Sequence, residues 1–191
     1  MNWQSLLSPK RYRGATENAR ADGIKEIRSP FTKDAHRITF CSAFRRLQGK
    51  TQVYPFPPTD FLRTRLTHSI EASQVGKSLG DAVGRDLIND FSERFPELKE
   101  SKGQHLTLSQ FGDVVAAATL AHDIGNPPFG HAGEDAITAW FDSSEGKDVL
   151  GDHTDFQERT DLRNFQGNAL GLRIVTRLQG ARESGGLRLT C

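Results

Sequence analysis

Cysteine is scarce in this chain of 191 residues, which has only Cys41 and Cys191, and only one methionine is present. Two cysteines cannot form the network of crosslinks that stabilises small secreted domains, and we expect a protein of the reducing cytoplasm. No apolar stretch approaches the roughly 20 residues of a membrane span, so we expect no membrane association. The N-terminal residues also lack the apolar core of a signal peptide.

An excess of charge of either sign is also missing. The chain has 25 lysines and arginines against 24 aspartates and glutamates, a formal net charge of +1. Its surface as a whole therefore gives no signal for a polyanionic partner. Strand-rich segments are lacking as well, whereas apolar residues recur at helical spacing. The sequence predicts an all-α fold with one core.

The predicted organisation is a polar N-terminal arm over residues 1–30, followed by one helical domain over 31–191. Within the domain we expect helices over about 34–48, 63–95 and 162–179, one ending at His122 and one beginning after Pro128. The first should bury a stripe formed by Ile38, Cys41, Phe44 and Leu47. Residues of about 142–160 are acidic and polar, and they predict a mobile surface loop.

A histidine and an aspartate stand side by side in the stretch TLAHDIGNPPFGHA, residues 119–132. His122 and Asp123 end an alanine-rich run, and Gly125, Pro127 and Pro128 stop the helix behind them. Imidazole and carboxylate suit divalent cations such as Mn, Mg, Fe, Co, Ni or Zn. An isolated pair of this kind also occurs by chance near helix ends, so the interpretation needs a further ligand.

His68 is the candidate for that ligand. At helical spacing it shares a face with Ala72, Val75, Leu79 and Val83, while His122 shares one with Phe111, Val115 and Ala118. If both faces point inward, the two histidines approach each other and Asp123. The alternative is two core histidines that only satisfy hydrogen bonds. We favour a shared ion at His68, His122 and Asp123.

Basic residues precede His68, at Arg45, Arg46, Lys50, Arg63 and Arg65. Arginine matches phosphate oxygens in bidentate geometry, and Arg65 lies almost on the same helix face as His68. The cluster permits a phosphate site, and single-stranded DNA remains open as a partner.

Beyond the proline break, His131 and Glu134 stand three residues apart at a helix start. This spacing allows the carboxylate to orient the imidazole for proton transfer.

Four segments together resemble the bacterial dGTP triphosphohydrolases of the HD-domain superfamily: RRLQGKTQV, RTRLTHS, AHDIGNPPFGH with the GE that follows, and FQGNALGLRIVTRL. The resemblance runs from about residue 40 to 190. It implies an HD-domain helical bundle and metal-dependent hydrolysis of dGTP, or of other dNTPs, to the deoxynucleoside and inorganic triphosphate. It also implies that His68, His122 and Asp123 bind the metal.

The same resemblance implies roles for further residues. Arg65 would contact the phosphates nearest the sugar, and Gln52 would contact the sugar 3′-hydroxyl. His131, supported by Glu134, would be the acid/base group. Asn126 and Asn168 would line the substrate pocket.

The chain also departs from that family. Relatives have a fourth metal ligand, an aspartate beyond the segment that is GLRLT here, residues 186–190. They are longer and form homo-oligomers. We therefore expect a partial HD domain, truncated at the C-terminus, with an incomplete site and weak or absent activity. The alternatives are another HD-type nucleotide phosphohydrolase and a non-catalytic nucleotide-binding regulatory module.

Overall fold

The computed structural model describes residues 8–11, 28–52, 62–91, 108–151, 155–180 and 185–190. Every regular element in these ranges is helical, and two isolated antiparallel bridges join Arg11 to Thr190 and Thr51 to Thr64. The all-α prediction is therefore confirmed. None of the helices in these ranges combines the length and the apolar character that a membrane crossing requires.

Eight α-helices occur in the described part of the chain, with a 3-10 turn at Leu47–Gly49 after the second and a π-helical turn at Ile174–Leu178 after the last. They are α1 (Pro30–Phe40), α2 (Ser42–Arg46), α3 (Arg65–Phe91), α4 (Leu108–Ala121), α5 (His131–Asp142), α6 (Ser144–Leu150), α7 (Phe156–Arg163) and α8 (Gly167–Arg173).

The first predicted helix is two helices in the structure, separated at Cys41. Its start is capped, because the Ser29 hydroxyl accepts a hydrogen bond from the Thr32 amide at 2.9 Å, and Pro30 occupies the first turn. At Cys41 the backbone becomes extended, and the thiol sulfur accepts from the Phe44 amide. This local cap starts α2 in a new direction, which apolar spacing alone did not predict.

The hydrophobic core lies where α1 and α2 meet α4 and the π-helical turn after α8. The predicted stripe of α1 and α2 is confirmed as part of it. The buried members are Ile38, Cys41, Ala43, Phe44, Leu47, Ala117, Leu120, Ile124 and Val175. Ile124 is 2% exposed and directly follows Asp123, so the core holds the turn that carries the predicted ligands.

Helices α3 and α4 pack through small residues, and the predicted inward stripe of α3 is wrong. Val75, Leu79 and Val83 are 61%, 62% and 53% exposed. An added Cβ on Gly80 would lie 2.8 Å from the Gly112 Cα, so the two backbones are in direct contact. Glycine permits this close approach, and the larger apolar side chains of α3 face outward as a result.

The stripe proposed for α4 is also only partly buried. Phe111 is 7% exposed, whereas Val115 is 37% exposed, and Ala118 and His122 are exposed as well. The buried face of α4 is instead formed by Ala116, Ala117 and Leu120, which lie towards the core.

The surface loop predicted over about 142–160 is largely helical. The Ser143 hydroxyl accepts from the Gly146 amide and starts α6, and the Asp155 carboxylate accepts from the Glu158 amide and starts α7. The single helix predicted over 162–179 is likewise interrupted, since α7 ends at Arg163 and α8 begins at Gly167. Most of residues 142–160 that the structure describes are nevertheless exposed, as expected.

Most of the predicted arm, residues 1–30, lies outside the described residues, and its boundary stays a prediction. One described member is firmly docked. Arg11 is 6% exposed and forms an ion pair with Asp34 of α1 at 2.7 Å, while the Asp34 carboxylate also accepts from the Thr190 amide at 2.8 Å. Segments from both ends of the chain thus meet on α1.

Candidate metal centre

The structure brings together the three predicted ligands. His68 lies in the first turn of α3 and His122 directly follows α4, and their ring centroids are 5.3 Å apart. One donor atom from each of His68, His122 and Asp123 lies within 4.8 Å of the other two. An ion with bonds of about 2.1 Å holds its donors roughly 3–4 Å apart, so a small inward shift of the side chains would suffice.

The tautomer of His122 follows from its hydrogen bond. Its Nδ1 lies 2.6 Å from the Thr119 carbonyl oxygen. Because a carbonyl can only accept, Nδ1 is the donor in this bond, and Nε2 is the nitrogen that faces away from it as a possible metal ligand. Histidine ligands of metals are commonly held by such a bond on the other ring nitrogen. The Thr119 carbonyl is a supporting group that only helical spacing could have indicated.

The carboxylate of Asp123 has one satisfied and one unsatisfied oxygen. Oδ1 accepts from Arg65 Nη1 at 2.8 Å and from Asn126 Nδ2 at 2.6 Å. Oδ2 is buried and has no hydrogen-bond partner within the described ranges. A buried carboxylate oxygen without a partner is unfavourable, and a cation would satisfy it. His122 Nε2 lies 3.5 Å from Oδ1 of the same carboxylate. Two imidazoles and this carboxylate together fit a divalent metal ion.

Arg65 lies beside the cluster, as its position before His68 suggested, but it is directed at Asp123. The residue is 5% exposed, and its Nε is buried without a partner among the residues described. The guanidinium therefore holds one carboxylate oxygen and leaves a buried donor unsatisfied. Arg65 thus contacts a predicted metal ligand directly, and its phosphate contact stays a prediction.

A sharp turn brings the start of α5 to Arg65. Phe129 and Gly130 both have positive φ, at 67° and 57°. A Cβ on Gly130 would lie 3.3 Å from Arg65 Nη2, so its backbone rests against the guanidinium. Glycine tolerates this conformation. The turn carries the chain from the proline break to His131.

His131 and Glu134 form the predicted pair, with Nδ1 and Oε2 2.8 Å apart. The other oxygen of Glu134 accepts from the Gly167 amide at 2.6 Å. The hydrogen bond from His131, and then that from Gly167, lower the pKa of Glu134. The carboxylate thus stays ionised and can hold the imidazole, whose side chain is 99% exposed.

The remaining predicted substrate residues lie in three different settings. Asn126 orients Asp123 through its side-chain amide. Gln52 is half-buried, and its Oε1 has no hydrogen-bond partner in the described part of the molecule. Asn168 is exposed on α8, next to the Gly167 that binds Glu134. Asn126 therefore belongs to the candidate metal centre. Gln52 lies two residues after Lys50, which contacts Asn126, and Asn168 directly follows Gly167, which contacts Glu134.

The other residues of the basic cluster also lie in different settings. Arg45 and Arg46 are exposed, and Arg63 pairs with the exposed Glu71 at 3.2 Å. Lys50, for which the sequence predicts no role apart from the basic cluster, donates from Nζ to the Asn126 carbonyl at 2.8 Å. Burial, and then the nearby Arg65, lower the pKa of Lys50.

Comparison with known proteins agrees with this geometry. The family model described as HD domain matches residues 65–168, which include His68, both residues of the His122–Asp123 pair and the His131–Glu134 pair. This chain belongs to the HD-domain family.

Curated relatives resemble the chain over its full length. One from Pseudomonas aeruginosa (strain LESB58) is 45% identical over 190 residues, and one from Synechocystis sp. is 46% identical over 192. A third, from Listeria monocytogenes, is 38% identical over 206. All three are called deoxyguanosinetriphosphate triphosphohydrolase-like protein. The predicted resemblance is thus confirmed. The chain spans 39% to 40% of the length of these relatives.

Proposed function

We propose that His68, His122 and Asp123 bind a divalent cation, one of Mn, Mg, Fe, Co, Ni or Zn. We further propose that the protein hydrolyses dGTP, and other dNTPs, to the deoxynucleoside and inorganic triphosphate. The observation that carries the metal site is the close approach of donor atoms from His68, His122 and the buried Asp123 carboxylate, whose Oδ2 has no hydrogen-bond partner among the described residues. The names of the relatives support the choice of substrate.

The surrounding residues suit an anionic substrate. A bound divalent cation would supply Lewis acidity to a phosphate and to the attacking water. Arg65 would keep Asp123 in place and offer charged N–H donors to a phosphate oxygen. Gln52, with an unpartnered side-chain oxygen, would accept from a sugar hydroxyl.

His131 would donate the proton that the leaving group needs. Hydrolysis joins a water oxygen to the α-phosphorus and breaks the bond from that phosphorus to the sugar 5′-oxygen. The leaving oxygen needs a proton, which the imidazolium of His131 would donate from Nε2 while Glu134 holds Nδ1. Glu134 suits this role because its lowered pKa keeps it ionised.

The test compares wild-type protein, His122→Ala and the control His36→Ala, whose histidine is exposed on α1. Calorimetric titration with Mn²⁺ should give one site in the wild type and in the control. Loss of a ligand should weaken binding by more than the roughly 10- to 100-fold typical of a residue that only supports a ligand. Equal affinity in all three proteins would refute the metal site.

The same three proteins, with Mn²⁺ and dGTP, are then analysed for products by ion chromatography. From the wild type and the control we expect inorganic triphosphate and deoxyguanosine in equal amounts, at the low rate predicted for a partial HD domain. We expect neither product from His122→Ala. Release of orthophosphate or pyrophosphate instead would assign the protein to another class of HD phosphohydrolase. Nucleotide binding without any product would support a regulatory module.

A further inference from the structure

Lys50 connects two segments that carry the candidate metal ligands. Its carbonyl oxygen accepts from the amide of Arg65, at the start of α3, at 2.8 Å. Its Nζ donates to the carbonyl of Asn126, in the turn after α4, also at 2.8 Å. Lys50 thereby bonds to both sides of the cluster, one through its backbone and the other through its side chain.

The α3 side of this connection is well fixed. Next to Lys50, Thr51 and Thr64 form an antiparallel bridge, and the Gln52 amide donates to the Arg63 carbonyl at 3.0 Å. The backbone around residue 50 is therefore aligned with the start of α3, one turn before His68. The Lys50 side chain therefore extends from a backbone position that is fixed relative to α3.

The α4 side leads directly to Asp123. The Asn126 amide donates to the Asp123 carbonyl at 3.1 Å, and its side chain donates to Oδ1 at 2.6 Å. Asn126 thus holds Asp123 in two ways, and Lys50 holds Asn126. A shift of this turn would move the Asp123 carboxylate away from the imidazoles.

A positive charge next to a cation site opposes cation binding through its electrostatic effect. The half-buried Lys50 lies close to Arg65 and Asp123, so its charge cannot explain metal binding, whereas its hydrogen bond can. Hydrogen bonds from charged donors are stronger than those from neutral donors. We propose that Lys50 is a positioning residue that fixes the turn at 122–126 against α3. This inference rests on the proposed metal site.

The test uses Co²⁺, whose visible absorption reports the geometry of its ligands. Lys50→Met removes the donor but keeps a long side chain, and Arg45→Met removes an exposed charge from the same basic cluster as a control. We expect Lys50→Met to weaken Co²⁺ binding about 10- to 100-fold, as for other residues that support ligands, and to alter the spectrum. Arg45→Met should match the wild type in both respects.

Far-UV circular dichroism establishes that each variant is folded. Lys50→Gln is a second variant, whose shorter side chain stays polar but does not reach the Asn126 carbonyl, and it replaces Lys50→Met if that variant does not fold. A wild-type affinity and spectrum in either folded variant would overturn the role of Lys50. Absence of Co²⁺ binding in the wild type would instead refute the metal site itself.

Discussion

Asp34 satisfies both of its carboxylate oxygens at the meeting point of three chain segments. Oδ1 pairs with Arg11 Nη1 at 2.7 Å, and Oδ2 accepts from the hydroxyl of Thr190 at 2.6 Å and from its amide at 2.8 Å. Both side chains of the ion pair are at most 5% exposed. Because the charges are buried, each depends on the other for stabilisation.

We expect Asp34→Ala to lower the free energy of unfolding by about 3–5 kcal/mol, since Arg11 would lose its buried counter-ion. Urea unfolding followed by circular dichroism measures this change. Glu71→Ala is the matched control, because the side chains of its pair with Arg63 are 56% and 64% exposed. The control should cost about 1 kcal/mol or less. Similar losses in the two variants would contradict the buried ion pair.

At the level of single residues, the sequence predicted which side chains lie near one another, but it did not predict most of the hydrogen bonds that join them. His68, His122 and Asp123 were identified from their chemistry and spacing, and they are neighbours in the structure. The bond from Arg65 to Asp123 was not predicted, because it joins residues 58 positions apart and depends on how α3 and α4 pack. The same holds for Lys50 and Asn126.

Helices α3 and α4 show why apolar spacing can predict a helix but misplace its buried face. Periodicity predicted α3 correctly and selected Val75, Leu79 and Val83 as the inward face. The contact instead uses glycine, which has no side chain to register as hydrophobic and which allows backbones to touch.

Helix starts were missed for a different reason. The caps at Ser143 and Asp155 lie in polar sequence that has the composition of a loop.

Replacement of a contact glycine tests this packing. In Gly80→Ala, the new Cβ would lie 2.8 Å from the Gly112 Cα, and backbone atoms cannot rotate away. We expect a net loss of about 1–3 kcal/mol from overpacking, although alanine favours helix by about 1 kcal/mol. Thermal unfolding measures the difference.

Gly49→Ala is the control for that experiment, because a Cβ there would have no heavy atom within 4 Å. Its melting temperature should equal or exceed that of the wild type. A stabilised Gly80→Ala protein would show that the two helices can separate at little cost.

Across the whole molecule, Asp113 of α4 connects three helices. It accepts from Ser29 and Thr32 at the start of α1, at 2.9 and 2.7 Å, and from Lys77 of α3 at 2.9 Å. Burial raises the pKa of the Asp113 carboxyl, but the bonds from Thr32, Lys77 and Ser29 outweigh it, so the pKa lies below the ordinary value of 3.8. The bond to Asp113 correspondingly raises the pKa of Lys77.

The lowered pKa of Asp113 makes stability depend on pH. Because the pKa of Asp113 is lower in the folded state, its contribution is complete above pH 3.8 and is lost as the pH falls through the folded value. We expect Asp113→Asn to be less stable than the wild type by about 1.5–3 kcal/mol at pH 6. The difference should shrink as the pH falls below 3.8. Urea unfolding from pH 6 to 2.5 tests this, and a difference independent of pH would contradict it.

The outward row of branched side chains on α3 has an energetic consequence. Val75, Leu79 and Val83 each remain more than half exposed. Full burial of one such side chain is favourable by about 1.5–3 kcal/mol. With all three exposed, several kcal/mol of hydrophobic stabilisation is not realised in this arrangement. That amount is comparable with the lower end of the 5–15 kcal/mol by which whole domains are typically stable.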